Sequence, residues 1–569
     1  MKRIYINAII ACSFAVSLVA CADTWNEHYQ ADPVLNGSET LWELISSDPE
    51  LEDFATLLRA TGYDTLLTMK RSYTVWAPVD LSLALDLSTL NEASDELLAV
   101  YRKEIVENHI ADYSHVAGGI RDKVNSDGYE RVKVLNHKFH DFEGTVSTGY
   151  VFADNKLQSS NIVASNGVLH KLAKCAPFAS NIWEQLAKEP AVSELYQFLY
   201  KDFVKELDLD NSVRGPIVDG KQIYLDSVYK ESCRWFNEMG QINNEDSTYT
   251  MYALTNTAWE DMYGQLRRCY NYSAVYTKDD GSGKKLLQEV ADSTVREKLC
   301  EYLLFSNTVN KKYYQGRKDS LISTRWKMFV GDEARSLMDG CEKSLTLSNG
   351  TLNIINQVNY NPFTCWLDTI RIQGESLLSG VSDRTDGAKY ENATAKNKEI
   401  DREHPLYNQI SNNRIGVFTP TNYTSTDEQP NFRFYVDGVL SVPYRISIVL
   451  LPPDLVNPED NAFVKPNKFN VRLAYQQKDG SIAYKNLGKN ITSDPTKVDT
   501  IVLAERYMFE YCEADYKRLT ENDPKTCLII ETSINFDRRG DNNPSDTDKK
   551  TWKYDNSYRI DQVIFEPVE

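Results

Sequence analysis

Ser165-Asn166-Gly167-Val168-Leu169-His170-Lys171 is an Asn-Gly step followed by alternating apolar residues, the pattern of a turn entering a buried strand. A weaker copy stands at Ser348-Asn349-Gly350-Thr351-Leu352-Asn353-Ile354-Ile355. Each copy follows, by about 90 to 100 residues, a second shared stretch, Tyr73-Thr74-Val75-Trp76-Ala77-Pro78 and Tyr249-Thr250-Met251-Tyr252-Ala253-Leu254-Thr255-Asn256. The pairing reads as an internal duplication, and therefore as two tandem domains.

Around the first copy the local signals agree. Leu41 to Ile45 open with a helix; Asp48 is placed to cap a second one, with Pro49 in its first turn. Leu51, Phe54, Leu57 and Leu58 share one helical face, and Gly62 marks the stop. Thr74 to Ala77 is a short strand that Pro78, lacking an N–H, is expected to end. Leu97, Leu98, Tyr101 and Ile105 give another amphipathic helix running into Asn108-His109-Ile110, followed by a β-rich run from Val132 to Val168. In the second copy, Leu195, Phe198, Leu199, Phe203 and Leu207 outline a helix.

This order of elements resembles the fasciclin domain, an α+β module associated with adhesion and extracellular binding. Asn166 to His170 match the family's second conserved box, and His109 the histidine of its central region. The first box departs, with Pro78-Val79-Asp80 in place of a polar trio. The second copy restores Thr255-Asn256 but has Leu254 for the proline. The resemblance implies that Thr74, Pro78, His109, Asn166, Gly167, His170, Thr250, Thr255, Asn256, Asn349 and Gly350 are structural motif positions.

Beyond Pro362 the composition turns polar through residue 431, and then Phe432–Val436, Tyr444–Val449, Phe469–Tyr475, Thr500–Leu503, Cys527–Ile530 and Tyr558–Phe565 read as strands separated by turns. The fold expected is thus multidomain: two fasciclin-like α+β domains and an all-β sandwich, whose last strand resembles galactose-binding-like or jelly-roll sandwiches. The boundaries are 1–20 for an export signal, 21–38 for a tether, 39–180 and 188–372 for the two domains, and 373–569 for the sandwich.

The signal reading rests on Lys2-Arg3, an apolar run through Ala20, and Leu18-Val19-Ala20-Cys21, which resembles a bacterial lipobox with Cys21 as the lipidated residue. With the acidic start after Cys21, this resembles lipoproteins of Bacteroidetes anchored in the outer membrane and facing outward. Asp64-Thr65-Leu66 and similar triplets resemble the O-glycosylation acceptor of that group. Eight further single cysteines, with no CxxC pair, favour buried thiols over disulfides or zinc.

A formal charge of −19, without a basic stripe, argues against nucleic acid as a partner. A mean hydropathy of −0.48 excludes a polytopic membrane protein. No GxSxG, HExxH or phosphate loop is present, and Asp208-Leu209-Asp210 starts like a calcium loop but has Val213 where glycine is needed. The expectation is a non-catalytic protein. Trp552 and Tyr554 are the candidate ligand platform, and Asp541, Asp546 and Asp548 the weak candidate for a structural Ca2+. By its resemblances the chain is expected to bind a glycan or peptide beside a SusC/SusD-type importer. The alternative is an adhesin that uses the fasciclin surfaces on a host or neighbouring cell.

Overall fold

The structure is a computed structural model. It describes residues 37–81, 90, 93–118, 129–210, 212–218, 221–226, 229–273, 277–279, 284–314, 320–357, 367–378, 388–425, 427–453, 464–514, 526–536, 540–543 and 551–569. Cys21, Asp546 and Asp548 lie outside the described residues. The chain divides into two compact units. One runs to Met251 with Ser306–Thr308 and Lys343–Asn353; the other comprises Tyr252–Phe305, Val309–Glu342 and Ile354–Glu569.

In the first unit, helix α1 (Leu41–Ser47) begins in a reciprocal capping box between Thr40 and Glu43. Helix α2 (Glu52–Thr61) buries Phe54, Leu57 and Leu58 and stops at Gly62, whose φ of 80° suits a residue without Cβ. These helices cover a seven-stranded sheet. Its strands are β1 (Tyr73–Pro78), β2 (Ile110–Asp112), β3 (Tyr129–Lys133), β4 (Phe139–Thr145), β5 (Gly149–Phe152), β6 (Asn155–Ala164) and β7 (Gly167–Leu172). Their order is β2-β1-β7-β6-β5-β4-β3, with β1 and β7 parallel and Tyr73 opposite Gly167. Pro78 does not end the pairing as expected: it lies opposite Leu172, and the next residue, Val79, still donates to the Leu172 carbonyl. The missing N–H falls where the ladder does not use it.

Asn166 explains why the box organises this domain. Its buried Oδ1 accepts from the Leu41 N–H at 2.8 Å, and its Nδ2 donates to the Leu67 and Met69 carbonyls at 2.7 and 2.8 Å. One side chain thus ties α1, the turn before β1 and the start of β7 together. A Cβ on Gly167 would stand 2.0 Å from the Tyr73 carbonyl oxygen, so only glycine fits.

The second copy repeats this pattern. Asn349 accepts from Ile182 N–H at 2.9 Å and donates to the Ile242 and Asn244 carbonyls at 2.7 and 3.1 Å. A Cβ on Gly350 would meet the Tyr249 carbonyl at 1.9 Å. Its opening helix is α3 (Ile182–Lys188), begun by a capping box of Asn181 and Glu184; it falls between the two expected domain ranges. The expected helix through Leu207 ends at Tyr200. Phe203–Leu207 is instead strand β8, paired with Tyr229–Cys233, because its aromatic and β-branched residues find a partner strand. Within the same unit the buried Lys138 ammonium donates to Glu184, Glu245 and Ser348 at 2.8, 2.6 and 3.1 Å. A buried charge is tolerable when paired in this way.

The second unit holds the C-terminal strands: β9 (Ile370–Gln373), β10 (Ala388–Glu391), β11 (Ala393–Glu399), β12 (Arg414–Pro420), β13 (Asn431–Tyr435), β14 (Pro443–Leu450), β15 (Lys468–Gln476), β16 (Ile482–Thr492), β17 (Asp499–Met508), β18 (Cys527–Thr532) and β19 (Tyr558–Pro567). One sheet has the order β11-β12-β19-β14-β17, with β9 also on β19; the other is β10-β13-β18-β15-β16. Phe418 and Tyr558 of the first meet Phe432 and Phe469 of the second edge-on, at ring separations of 5.0 to 6.3 Å, so the sheets close a sandwich over an aromatic core. The polar stretch before residue 432 supplies β10, β11 and β12, which the sequence pattern did not reveal.

Candidate functional site

The fasciclin-motif residues are committed to the core. Thr74 Oγ1 donates to the Tyr113 carbonyl and accepts from His115 N–H, both at 2.8 Å. His109 Nδ1 bonds the Ile105 carbonyl at 2.6 Å, and its Nε2 accepts from Ala176 N–H at 2.7 Å. That pattern needs one proton on the ring, and burial holds its pKa down at about 4. His170 is also held down to about 4 by burial; it stacks on Trp76 and bonds the His115 carbonyl at 2.9 Å. Thr250 donates to Asn307, and Thr255 caps the helix that Asn256 begins. None of these groups offers a free functional end to a ligand.

The expected platform is corrected by the structure. Trp552 is only 3% exposed and packs edge-on against Phe536, with Ile534 and the half-buried Tyr554 alongside. It is core because Asn542, bridged to Phe536, holds the Lys553–Tyr554 backbone by three hydrogen bonds and so sets Trp552 against that ring. Asp541 is partly engaged: its Oδ2 pairs with Lys468 and accepts from Asn535 N–H, and the other two candidates, Asp546 and Asp548, lie outside the described residues. The seven described cysteines, including Cys175 and Cys527, form no disulfide among the described residues.

The outer face of the five-stranded sheet is a better candidate. Alternation along β13, β15 and β18 sends Phe432, Phe434, Val471, Leu473, Leu528 and Ile530 inward, each fully buried. The opposite parity faces out, and the register sets it in rows. Tyr435, Cys527, Ala474 and Tyr484 lie side by side across four strands. The next row is Lys389, Arg433, Ile529, Arg472 and Asn486, and a third holds Glu391, Asn431, Glu531 and Asn470. Between the two tyrosines Ala474 and Cys527 are buried, with Tyr435 and Ile482 packed against them, while Tyr484 is 61% exposed. Arg472 lies 5.6 Å from the Tyr484 ring centre and donates to Glu531 at 2.5 Å. Sequence reading had the three central strands but not β10, β16 or this face, since Tyr435 and Tyr484 carry no signal apart from their parity.

The other sheet carries a cleft of about 710 Å3 lined by Glu375, Glu399, Ile400, Asp401, Arg402, Tyr407, Asn412, Asn413 and Arg414. Gly374 lets the chain turn against β19, where a Cβ would stand 2.0 Å from the Ile560 carbonyl. Gln373 Oε1, Glu375 Oε2 and Asp561 Oδ2 are buried without a hydrogen-bond partner. Burial first, and then the Glu375 charge, push the Asp561 carboxyl up to about 7. Acceptor oxygens facing no donor suit a shared proton, or a hard cation such as Ca2+ with water completing its shell. Among the described residues no group of three or more His, Cys, Asp or Glu stands together as a metal cluster.

Residues 49–175 match the family model of the Fasciclin domain. Among solved structures, the chain is similar to a FAS1 domain pair from the insect cell adhesion molecule fasciclin I. The identity is 13%, covering 56% of this chain and 98% of that one, with a TM-score of 0.20. It is also similar to the family 22 carbohydrate-binding module of Clostridium thermocellum Xyn10B, at 10% identity, 34% and 91% coverage and a TM-score of 0.19. A family 11 carbohydrate-binding module from Clostridium thermocellum, in complex with a β-1,3-1,4-mixed-linked tetrasaccharide, matches at 11% identity, 35% and 96% coverage and a TM-score of 0.17. No curated protein matches the sequence.

Proposed function

We propose that this chain is a non-catalytic, cell-surface lipoprotein that binds glycan on the outer face of its five-stranded sheet. The observation that supports the reading is the register row that sets Tyr435 and the exposed Tyr484 on one face of the sheet, over the buried Ala474 and Cys527 and bordered by planar polar groups. Sugar rings stack their apolar faces on tyrosines while arginine, asparagine and carboxylate groups take up the hydroxyls. The duplicated Asn-Gly geometry supports a second fasciclin-like domain, and the sheet arrangement a galactose-binding-like or jelly-roll sandwich. In this reading Cys21 carries the lipid anchor in the outer membrane, and the chain delivers glycan to a SusC/SusD-type importer.

The Fasciclin match at 49–175 favours a second reading, adhesion through the first domain. Removing residues 373–569 is a poor way to separate the two. Ser441 and Cys512 donate to the Cys269 and Asn271 carbonyls, so the cut would strip partners from the same compact unit. Point changes serve better. Glycan-array binding by the mature chain should be lost in Tyr435→Ala/Tyr484→Ala if the sheet face is the site. Binding that is untouched by both changes refutes the reading and leaves the fasciclin surfaces.

A further inference from the structure

We infer that the glycan taken by this face is acidic, a polymer carrying carboxylate or sulfate groups; the inference rests on the sheet face being the binding site. Three cations, Lys389, Arg433 and Arg472, fall in one register row beside the tyrosine row. Arg433 is exposed and has no hydrogen-bond or ion-pair partner among the described residues. Arg472 shares a half-exposed pair with Glu531, yet its Nε is buried without an acceptor. Glu391 and Glu531 are the acidic groups in the next row. Three cations against these two carboxylates leave the rows positive, and with Glu531 engaged by Arg472 the Arg433 guanidinium is the exposed cation without a side-chain partner among the described residues.

The surroundings strengthen this point. On a chain of net charge −19, most of the surface repels a polyanion, and screening confines any attraction to the region within about 10 Å of a cation. Beside the tyrosine row, the exposed Arg433, without a side-chain partner among the described residues, gains hydrogen bonds but no ion pair from a neutral hydroxyl. Its planar fork fits a carboxylate or sulfate with two parallel N–H···O bonds. Arg433 and Arg472 stand two strands apart, about 9 to 10 Å, so they engage separate sugars of an extended chain while Tyr435 and Tyr484 take the rings.

The test uses the mature chain, with polygalacturonate, alginate and chondroitin sulfate set against xylan and mixed-linkage β-glucan in affinity electrophoresis and calorimetry. At least one acidic polymer should bind about tenfold or more tightly than the neutral ones, and binding should weaken as salt is raised. Arg433→Ala should remove about tenfold of that affinity, Arg433→Lys should restore part of it, and neither should move the melting midpoint by more than a degree or two, because the side chain is exposed and makes no hydrogen bond or ion pair among the described residues. Equal or tighter binding of the neutral polymers, or an unchanged affinity in Arg433→Ala, overturns the acidic assignment and leaves the glycan-binding face standing. Binding of no polymer in either class overturns both.

Discussion

The fasciclin-type first domain and the C-terminal sandwich each bury titratable groups, but of opposite kinds. The first domain keeps His109, His140 and His170 neutral, with burial holding each at about 4. The sandwich keeps Glu513 and Asp561 inside, with burial pushing each carboxyl up to about 7. The histidines are answered by carbonyls and amides: His109 by Ile105 and Ala176, His140 by Asn108, and His170 by Asn161 and His115. In the sandwich, Glu513 is answered by Thr526 at 2.8 to 2.9 Å, whereas one Asp561 oxygen has no partner. A group fully satisfied in its neutral form belongs to the scaffold; one left unsatisfied marks where something further can bind.

The harshest test of the contrast is Gly167→Val. A side chain there meets the Tyr73 carbonyl in a left-handed backbone, and the loss should be about 4 kcal/mol or more. Hydrogen exchange should show peptides from 39–180 unprotected while those from β13 and β15 keep their protection. Uniform loss over both would break the comparison. Trp552→Ala comes next: as a core ring it should cost the sandwich about 3 to 5 kcal/mol in urea melts, with no change in glycan affinity for the folded fraction. A stable protein with weakened binding would instead restore Trp552 as a platform.

Acidity should separate the two regions in sign. Each histidine binds its proton in the unfolded chain below about 6.5 but not in the fold until about 4, so the first domain loses stability as pH falls across that window. Asp561 and Glu513 hold protons in the fold up to about 7, where the unfolded chain has already lost them, so the sandwich loses stability as pH rises from about 4 to 7. Each unit of displacement is worth about 1.4 kcal/mol. Exchange rates against pH should therefore cross, and Asp561→Asn should flatten the sandwich limb. If the oxygens at Gln373, Glu375 and Asp561 accept Ca2+, the cation should raise the sandwich midpoint more at pH 8 than at pH 5, because protons compete for the same oxygens. The smallest expected effect on stability is that of Tyr484→Ala, within about 0.5 kcal/mol, yet it should weaken glycan binding.

Much of the first domain was legible. Asp48 caps a 3-10 turn opened by Pro49 that leads into the second helix at Glu52, Gly62 ends that helix, and Asn166-Gly167 turns into a buried strand, because each of these signals acts within a few residues. Periodicity read past Tyr200 failed, since Phe203 to Leu207 suit a helix face and a strand equally and the partner strand lies elsewhere in the chain. The candidate site was nearly illegible. Trp552 and Tyr484 are both aromatic residues in polar stretches, and nothing local says that one is covered and the other open.

The sequence by itself thus determined the duplicated box, the helix ends, most of the sandwich strands and the acidic charge, since each depends on local backbone preference or simple counting. Only the tertiary structure decided which face of the five-stranded sheet meets the partner sheet and which meets solvent. It also brought Glu375 close enough to Asp561, far along the chain, for its charge to raise that carboxyl's pKa. Alternation groups side chains into two faces, but which one is buried is settled by distant strands that a local pattern does not encode.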